Sequence, residues 1–364
     1  MGKIYTALGL MSGTSGDGVD SSIIQSDGKD NFLIKSNNYD PYPLDLSNKI
    51  HIIKEKIQSS RDLLKFYNEI ETIEAEITIF HISVVKKWLK SNDVDIIGFH
   101  GQTIFHNSDE KITKQLGLGE KLSNLTTKTV VFDFRQNDIK NGGEGAPLTP
   151  IYHRLLIKDL KNKKKIELPV TILNIGGISN ITTVNKKYEM ISMDIGPGNC
   201  LIDKWIRLNS NKKFDENGDI AKSGKIDKFI LEQAMDNFYY NSINNKKSLD
   251  TNDFDISFAR GLSLKNGAAT LTELTAEILS KKLVDNKIYV CGGGRKNYFL
   301  INSIQKKIKH NIKEIDHLGI DGDFIESQAF GYLAIRSSLG LPISFPETTG
   351  CKEPSTGGVI VKSF

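Results

Sequence analysis

The sequence has few cysteines and no long apolar segment. Its three cysteines, Cys200, Cys291 and Cys351, lie far apart in a chain of 364 residues. Their spacing forms neither a metal-binding pattern nor a disulfide framework, so we expect a reducing, cytoplasmic compartment. No apolar run approaches the roughly 20 residues that a membrane-spanning helix needs, and no secretory leader precedes the first predicted strand. We therefore expect no membrane partner.

A strong charge of one sign is also missing. The chain has 48 basic and 44 acidic residues, which gives a formal net charge of +4. This balance does not indicate a nucleic-acid partner, and the longest basic run, residues 161–165, is interpreted as a solvated loop. A hydrophobic content of 38% and a charged content of 25% are typical of a soluble globular protein. The length suggests two domains or one large one.

Three familiar motifs are missing as well. No Gly-Lys-Ser/Thr follows a glycine-rich loop, and neither Gly-x-Gly-x-x-Gly nor Gly-x-Ser-x-Gly occurs. These absences argue against a Walker A loop, a dinucleotide-binding turn and a hydrolase nucleophile elbow.

A stretch rich in glycine, hydroxyl groups and carboxylates stands in their place. It covers residues 9–20 and follows a predicted strand at residues 4–10. Glycine can adopt positive φ and has no Cβ, so such a turn can direct backbone N–H groups at an anion. The carboxylates of Asp17 and Asp20 would reach a phosphate through Mg²⁺ and water. A plain hairpin turn explains the same residues, and the spacing alone leaves both interpretations open.

Predicted strands and helices alternate along the first part of the chain, which indicates an α/β domain. Helical periodicity covers residues 46–90, and polar residues follow two buried strands, as in His100-Gly101-Gln102-Thr103 and Asp133-Phe134-Arg135. Open α/β sheets bind ligands at such strand ends. The glycine-rich residues 141–148 are either a hinge or a static surface loop. The strands expected here are residues 4–10, 19–25, 32–39, 94–99 and 129–132.

The opening pattern of strand, glycine turn and two strands returns at residues 170–193, which indicates an internal duplication. The last of these strands ends in Asp194, which is either a functional carboxylate or the N-cap of the following helix. Gly292, Gly293 and Gly294 follow another strand and either lie against a ligand or only turn the chain. Glu326, in the first turn of a late helix, either contacts a ligand or complements the helix dipole.

Glycine turns in both halves suggest a nucleotide cleft between two duplicated α/β domains. This organisation is similar to that of the actin, hexokinase and heat-shock ATPase superfamily, with ribonuclease H-like domains. We predict an N-terminal domain at residues 1–135, with the first phosphate turn and part of a substrate site. A C-terminal domain is predicted at residues 136–340, followed by an irregular segment, residues 341–364, that packs back on the body.

The sequence resembles the anhydro-N-acetylmuramic acid kinase family in seven blocks that run in the family order over nearly the whole chain. Any one block is a weak signal, but coincidence does not explain seven in order. The blocks are residues 9–20, His100-Gly101-Gln102-Thr103, Asp133-Phe134-Arg135 through to Gly142-Gly143-x-Gly145-Ala146-Pro147-Leu148-x-Pro150, Asn174-Ile175-Gly176-Gly177-Ile178-Ser179-Asn180, Asp194-x-Gly196-Pro197-Gly198-Asn199 with Asp203, Cys291-Gly292-Gly293-Gly294 with Asn297, and Glu326-x-x-Ala329-Phe330 with Leu333-Ala334.

The resemblance implies a kinase that uses ATP and Mg²⁺, opens 1,6-anhydro-N-acetylmuramic acid with water and phosphorylates the released O6 during cell-wall recycling. Asp194 matches the catalytic carboxylate, a general base for the water. Asp17 and Asp20 are the implied Mg²⁺ contacts. Sugar contacts are expected at His100, Gln102, Thr103, Arg135 and Glu326. The residues implied at ATP are Gly13, Thr14, Ser15, Gly16, Asp17, Gly18, Val19, Asp20, Gly176, Gly177, Gly196, Gly198, Asn199, Gly292, Gly293 and Gly294.

Three positions depart from the family pattern. Gly16 replaces an apolar residue, Glu144 replaces glutamine, and residues 249–252 replace the end of a Lys-Ser-Thr-Gly-Arg-Glu motif. None of them removes an implied catalytic group. Two other functions stay open at this point: a kinase of the same fold that acts on another sugar, and a nucleotide-regulated binding protein without catalysis. A homodimer is also left open.

Overall fold

The chain divides into two compact units. The computed structural model describes residues 2–13, 15–240, 248–283 and 286–362. Unit 1 comprises Met1–Leu156 and Phe324–Phe364, and unit 2 comprises Ile157–Asp323. Each unit contains one β-sheet with helices packed against it, so the predicted α/β class with two domains is confirmed.

The sheet of unit 1 has seven strands. They are β1 (Tyr5–Ser12), β2 (Gly18–Ser26), β3 (Phe32–Pro41), β4 (Ile96–Asn107), β5 (Ile112–Leu116), β6 (Thr129–Phe132) and β12 (Val359–Val361). Their order is β12-β6-β4-β1-β2-β3, with β5 paired to β4. The β1–β2 and β2–β3 pairs are antiparallel, whereas β4 runs parallel to both β1 and β6.

The helices of unit 1 lie on both faces of this sheet. They are α1 (Leu44–Lys56), α2 (Ser60–Lys65), α3 (Tyr67–Leu89), α4 (Gly119–Thr126), α5 (Gln136–Lys140), α12 (Ile325–Ser338) and α13 (Pro346–Thr349). In α3, Ile70, Ile73 and Ile77 recur at helical spacing and are buried, which confirms the predicted periodicity. The boundary between the units falls within α6 (Pro150–Asn162).

The division differs from the predicted domain boundaries, because residues 136–156 and helix α12 belong to unit 1. Glycines allow α12 to pack closely on the sheet. A Cβ built on Gly9 of β1 would lie 1.9 Å from the Ser327 carbonyl oxygen, and one on Gly98 of β4 would lie 2.1 Å from that of Phe330. Only glycine permits so close an approach of two backbones.

The segment after residue 340, expected to be irregular, contains regular structure. Strand β12 pairs antiparallel with β6, with Val359 opposite Phe132. The residues Val-Ile-Val suit a strand, and they cover an edge of β6. The strand has only three residues, which is too short for the alternation of apolar and polar residues to predict it.

The glycine-rich residues 141–148 are held within unit 1. Oδ2 of the buried Asp138 accepts a hydrogen bond from the Gly145 N–H at 2.7 Å, and Oδ1 accepts one from the Thr349 hydroxyl at 2.6 Å. The Gly143 N–H donates to the Asp138 carbonyl at 2.9 Å. These bonds favour the static loop over the hinge.

The sheet of unit 2 has five strands in the order β11-β10-β7-β8-β9. They are β7 (Val170–Ile175), β8 (Ile178–Val184), β9 (Met190–Pro197), β10 (Lys287–Cys291) and β11 (Ile312–Glu314). The helices are α7 (Cys200–Asn209), α8 (Asp219–Lys222), α9 (Lys228–Tyr240), α10 (Leu264–Lys282) and α11 (Tyr298–Gln305). Helix α10 has more buried residues than any other described helix of this unit and packs against α7, α8, α9 and α11.

The topology confirms the predicted duplication. In unit 1 the antiparallel strands β1, β2 and β3 are followed by β4 and β6, which extend the sheet in parallel on the other side of β1. In unit 2 the strands β7, β8 and β9 are followed by β10 and β11 in the same arrangement. Two prolines occupy matching places, since Pro41 pairs with the first residue of β2 and Pro197 with the first residue of β8.

Candidate functional site

The glycine turn of unit 1 joins β1 to β2. It contains Gly13, Ser15, Gly16 and Asp17, while Thr14 lies outside the described residues. Gly16 has φ of 65°, and its N–H donates to the Gly13 carbonyl at 3.1 Å. A positive φ explains why a glycine stands at this position. The turn therefore closes on itself by a backbone hydrogen bond that engages the Gly16 N–H within the turn.

Gln102 supports this turn from β4. Its side-chain amide donates to the Gly13 carbonyl at 2.9 Å, and its carbonyl oxygen accepts from the Ser12 hydroxyl at 2.7 Å. The side chain of Gln102 is fully buried. The structure thus commits Gln102 to the turn, whereas the sequence placed it among the sugar contacts.

The remaining residues assigned to the first turn lie at the start of β2. Gly18 and Val19 are buried, and the half-buried Asp20 pairs with Met11 across the β1–β2 ladder. Burial, with the charges of Asp17 and Asp20, raises the pKa of Tyr39 to about 12. The charges of both carboxylates therefore act on the Tyr39 hydroxyl.

The donor set around this turn fits Mg²⁺ only with help from a ligand. Within the described residues, no three His, Cys, Asp or Glu side chains group in a way that could hold a metal ion by themselves. Mg²⁺ commonly takes one or two carboxylates together with water and substrate phosphates. Asp17 and Asp20 provide that number of carboxylates.

His100 and Arg135 form a pair, although β4 continues to Asn107, beyond the strand end predicted at residue 99. His100 therefore lies within β4, and Arg135 lies three residues after β6. The guanidinium Nε and Nη2 of Arg135 lie 3.2 and 3.0 Å from Nε2 of His100, and Arg135 Nη1 donates to the Gly145 carbonyl at 3.2 Å. His100 Nδ1 lies 2.8 Å from the Gly101 carbonyl. Because Arg135 can only donate, the imidazole is neutral, with its proton on Nδ1.

Electrostatics agree with this protonation state. Burial, followed by the positive charge of Arg135, holds the pKa of His100 well below its usual range. The ring of His100 also packs against that of Phe330, with centroids 4.4 Å apart. His100 therefore fixes the position of the Arg135 guanidinium, and the structure brings these two predicted residues together.

A cavity of about 540 Å³ opens beside this pair in unit 1. Its lining includes His100 and Gly101 from β4, Phe132 and Asp133 from the end of β6, and Gly117. Thr103, a predicted sugar contact, is not among the lining residues; its hydroxyl accepts from the Gln115 amide at 3.2 Å. The cavity has the size of a small-molecule site and lies where open α/β sheets bind ligands.

Glu326 lies in the first turn of α12, which begins at Ile325. Its side chain is partly buried. The position is consistent with both interpretations made from the sequence, dipole complementarity and ligand contact.

In unit 2 the glycine turn between β7 and β8 is joined by backbone hydrogen bonds to the chain that follows β9. The N–H of Gly198 donates to Gly177 and that of Asn199 to Gly176, both at 2.8 Å. A Cβ on Gly198 would lie 2.2 Å from the Gly176 carbonyl oxygen, so glycine is required there. The structure therefore brings these four predicted residues together just before α7, whose N-terminus favours an anion.

Asp194 lies on β9, three residues before Pro197, and is partly buried. The N-cap of α7 is Asn199, so the alternative interpretation of Asp194 as the helix cap is wrong. One residue is inserted into β9 between Asp194 and Gly196, which form the partners of Asn180 and Ser179. Such a bulge re-aims the side chains beside it and is frequent at active sites.

The segment that departs from the family pattern contacts Asp194. The backbone N–H of Leu249 donates to Asp194 Oδ2 at 2.8 Å. The Leu249 side chain is buried in the apolar core of unit 2, together with Phe254. The Asp250 N–H donates to Asp253 Oδ2 at 2.7 Å and closes the turn that follows. A backbone group makes the contact with Asp194, so it does not depend on the side chain that differs.

The third glycine turn follows β10. Gly292 has φ of 79°, and a Cβ there would lie 2.4 Å from Asn174 Oδ1. A Cβ on Gly294 would lie 2.1 Å from Ile175 Cγ2, whereas one on Gly293 would meet nothing within 4 Å. Gly292 and Gly294 therefore allow packing on β7, and Gly293 leaves open space for a ligand.

Arg295 is a structural residue of this turn that sequence reasoning missed. Its guanidinium is buried, donates to the Gly292 carbonyl at 3.2 Å and contacts the carboxylates of Asp316 and Asp323. Burial lowers the pKa of Arg295, but its hydrogen bonds with these carboxylates and their negative charges outweigh that effect. The pKa of Arg295 therefore lies above its usual range. Two features of the sequence could have predicted this role: an arginine directly after three glycines, and two aspartates at positions 321 and 323.

A second cavity, of about 510 Å³, lies elsewhere in unit 2. Its lining includes Lys165, Glu167, Lys287 and His310, at the amino ends of β7, β10 and β11. None of the predicted site residues lines it. We assign it no part in the site, because α/β sheets bind ligands at the opposite, carboxyl ends of their strands.

Comparison with known proteins identifies the family of the chain. The family model described as anhydro-N-acetylmuramic acid kinase matches residues 5–363. A relative of that name from Pelagibacter ubique (strain HTCC1062) is 51% identical over 379 residues that cover the whole of both chains. Another, from Zymomonas mobilis, is 38% identical and covers 97% of this chain and 99% of its own.

Among solved structures, an ROK family glucokinase from Streptomyces griseus in complex with glucose and AMPPNP aligns over 90% of this chain and 99% of its own, with 12% identity and a TM-score of 0.38. That likeness is too low to bear on function. In the described residues, no helix is long and apolar enough to cross a bilayer. The full-length match to the family model and the identity with its members show that this chain belongs to the anhydro-N-acetylmuramic acid kinase family.

Proposed function

We propose that the chain is an ATP-dependent kinase that opens 1,6-anhydro-N-acetylmuramic acid with water and phosphorylates the O6 released, to give N-acetylmuramic acid 6-phosphate. The observation that carries the proposal is the match to this kinase family over residues 5–363. The geometry of each unit supports it, since the predicted turn glycines and Asp194 lie at the strand ends where ligands bind.

Asp194 is the general base in this proposal. Its carboxylate accepts a proton from the water that attacks the anomeric carbon, and the bond from that carbon to O6 breaks. A carboxylate suits this role because the water becomes more acidic as it bonds to an oxocarbenium-like carbon. O6 leaves with the bonding electron pair and attacks the γ-phosphorus, and ADP departs. The Leu249 N–H holds one oxygen of Asp194 in place throughout.

The glycine turns bind ATP. In unit 1 the turn at 13–18, braced by Gln102, presents backbone N–H groups to phosphate. In unit 2 the residues 176–177 and 196–199 form the wall of the phosphate site just before α7, whose N-terminus favours an anion, and Gly293 lies against the adenosine. Phosphoryl transfer needs mainly positioning and neutralisation of charge, so backbone N–H groups supply much of what is required.

Asp17 and Asp20 would hold Mg²⁺ through water, and the bound ion would neutralise negative charge on the phosphates. Asp17 lies directly before β2 and Asp20 is its third residue, so the turn and the strand position both carboxylates.

Arg135 binds the lactyl carboxylate of the sugar. The guanidinium is already oriented by His100 and the Gly145 carbonyl, and its planar fork matches a carboxylate. Glu326 and Thr103 are further sugar contacts in this proposal. The product belongs to cytoplasmic recycling of the cell wall.

A coupled assay of ADP release tests the proposal. The protein is offered 1,6-anhydro-N-acetylmuramic acid, N-acetylmuramic acid and glucose in parallel, with ATP and Mg²⁺. Turnover on the anhydro sugar alone is the expected result. Turnover only on a sugar with a free 6-hydroxyl would retain an ATP-dependent kinase but remove the hydrolytic step. ATP binding without turnover on any sugar would favour a non-catalytic binding protein.

A further inference from the structure

The cavity of unit 1 has one carboxylate whose purpose the fold does not explain. Asp133 follows β6 directly and lines this cavity of about 540 Å³ together with His100. The two predicted site residues beside it, His100 and Arg135, form a hydrogen bond with each other. Asp133 was noted in the sequence only as part of a matching block.

The backbone of Asp133 adopts an unusual conformation. Its φ is 54°, in the left-handed region that non-glycine residues rarely occupy. Such a conformation costs on the order of 1 kcal/mol and tends to persist at functional positions. It belongs to a residue at the end of a parallel strand, where open α/β sheets present side chains to ligands.

The Asp133 carboxylate is half-buried, and burial raises its pKa above the usual range. Among residues 2–13, 15–240, 248–283 and 286–362 no group forms a hydrogen bond or ion pair with its side chain. An acceptor that has lost part of its hydration without a partner is costly to the fold. A ligand that donates hydrogen bonds would offset that cost.

Several other polar groups that line the cavity are already engaged. Lys114 forms an ion pair with Glu74 at 3.0 Å. The Gln136 amide donates to the Thr113 carbonyl at 3.1 Å, and the Gln115 amide donates to the Thr113 hydroxyl at 2.7 Å. Asp133 therefore differs from these side chains because its carboxylate oxygens remain available to a ligand. It differs from the exposed Glu120 at the rim because it is half-buried.

The surroundings favour a neutral donor over a cation. The charges of Lys140 and Lys114 act on Asp133 and oppose a second cation beside it. The half-buried ring of Phe132 contributes an apolar surface to the same cavity. Hydroxyl donors next to an apolar face are what a sugar presents.

We propose that Asp133 binds the sugar, and that its carboxylate accepts hydrogen bonds from hydroxyl groups of the ring within this cavity. The inference rests on the proposed function and names the part of unit 1 that holds its substrate. Asp133 acts on binding; it takes no part in moving the proton or the phosphoryl group.

The test is the Asp133→Asn variant in the coupled ADP-release assay. Asparagine also tolerates the left-handed region, so the turn is preserved. A hydrogen bond to a charged group contributes enough that its loss raises the KM for sugar by about tenfold or more. The kcat and the KM for ATP should change little, a split that a general loss of structure would not give. Asp93→Asn makes the same change at a carboxylate that is 98% exposed and lies outside the cavity lining; it is the matched control, with an unchanged KM.

An unchanged sugar KM in Asp133→Asn, with an active wild-type protein, would overturn the inference and leave the proposed kinase function intact. If the wild-type protein turns over no anhydro sugar, the proposed function fails, and calorimetry with N-acetylmuramic acid and glucose then decides the inference. Weaker binding by Asp133→Asn than by the wild type would support the cavity as a sugar site. Equal binding, or no binding of any sugar by the wild type, would overturn it.

Discussion

The first three strands of each unit have the same arrangement, but the carboxylates near the end of the third strand differ in register and in partners. Asp40 lies one residue before Pro41 at the end of β3, and Asp194 lies three residues before Pro197 at the end of β9. The register of β3 is regular at this end, whereas β9 contains an extra residue between Asp194 and Gly196. The bulge changes where the carboxylate of the second copy points.

The partners of these two carboxylates differ as well. The buried Asp40 accepts from Lys87 Nζ at 2.6 Å and from the Asn38 amide at 2.8 Å, which are side-chain contacts within its own unit. Asp194 accepts from the Leu249 backbone N–H, beside the glycine turn that precedes α7. The comparison shows that the two units share one strand framework, while one inserted residue and one contacting segment give Asp194 surroundings that Asp40 does not have.

Exchanging the two carboxylates for amides gives the largest expected contrast. Asp194→Asn should lower turnover by at least ~10²-fold and leave ATP binding near normal, because a general base is lost. Asp40→Asn should leave turnover unchanged and cost less than about 1 kcal/mol of stability, since Lys87 is mostly exposed and its ion pair is screened. Steady-state kinetics with urea unfolding of both variants measures the contrast; a near-native rate in Asp194→Asn would remove it from the mechanism.

Sequence alone predicted this framework because strand periodicity and glycine turns are local signals. His100, Arg135 and Asp194 were found in this way as polar residues close to predicted strand ends. The family resemblance supplied their roles. The position of α12 was missed because its packing on Gly9 and Gly98 joins segments more than 200 residues apart. The bulge in β9 was missed because strand register depends on pairing, which periodicity does not encode.

The buried histidines should make unit 1 more sensitive to acid than unit 2. Burial lowers the pKa of His81 to about 4 and that of His153 to about 3, whereas His310 and His317 of unit 2 are exposed. A lowered folded-state pKa means that this stability is present above the unfolded value of about 6.5 and is lost as the pH falls toward 4. His81 alone accounts for about 3 kcal/mol across that window.

Hydrogen exchange of each unit, followed between pH 7 and pH 4.5 with correction for intrinsic rates, measures this difference. Residues of unit 1 should lose protection first, and His81→Gln should flatten the pH dependence of its stability. His310→Gln is the control and should leave it unchanged. Equal loss of protection in both units would contradict the account.

The glycine turns should differ in their tolerance of a side chain. Gly198→Ala should lower the free energy of unfolding by about 1–3 kcal/mol, because its Cβ would overlap the Gly176 carbonyl. Gly13→Ala should change it by less than about 1 kcal/mol, since the nearest atom to that Cβ, Ser15 Oγ, is 3.9 Å away. Urea unfolding of both variants provides the comparison, and equal losses would show that the two turns are packed alike.

Removing the backbone donor that Leu249 supplies to Asp194 should have the smallest effect. Replacement of Leu249 by its α-hydroxy acid exchanges the N–H for an ester oxygen and keeps the buried side chain. We expect kcat to fall by about tenfold or less, and the acidic limb of the pH–rate profile to move to higher pH, because the charged carboxylate loses a donor. The same replacement at Phe254 is the control; an identical profile for both would exclude a positioning role.

The origin of the oxygen in the product tests the central claim most directly. A single turnover of 1,6-anhydro-N-acetylmuramic acid with ATP in ¹⁸O-labelled water, quenched before the anomeric oxygen exchanges, is analysed by mass spectrometry. If Asp194 activates water for attack on the anomeric carbon, one label appears at the anomeric oxygen and none at O6 or in the phosphate. An unlabelled anomeric oxygen, or a label in the phosphate, would contradict the account.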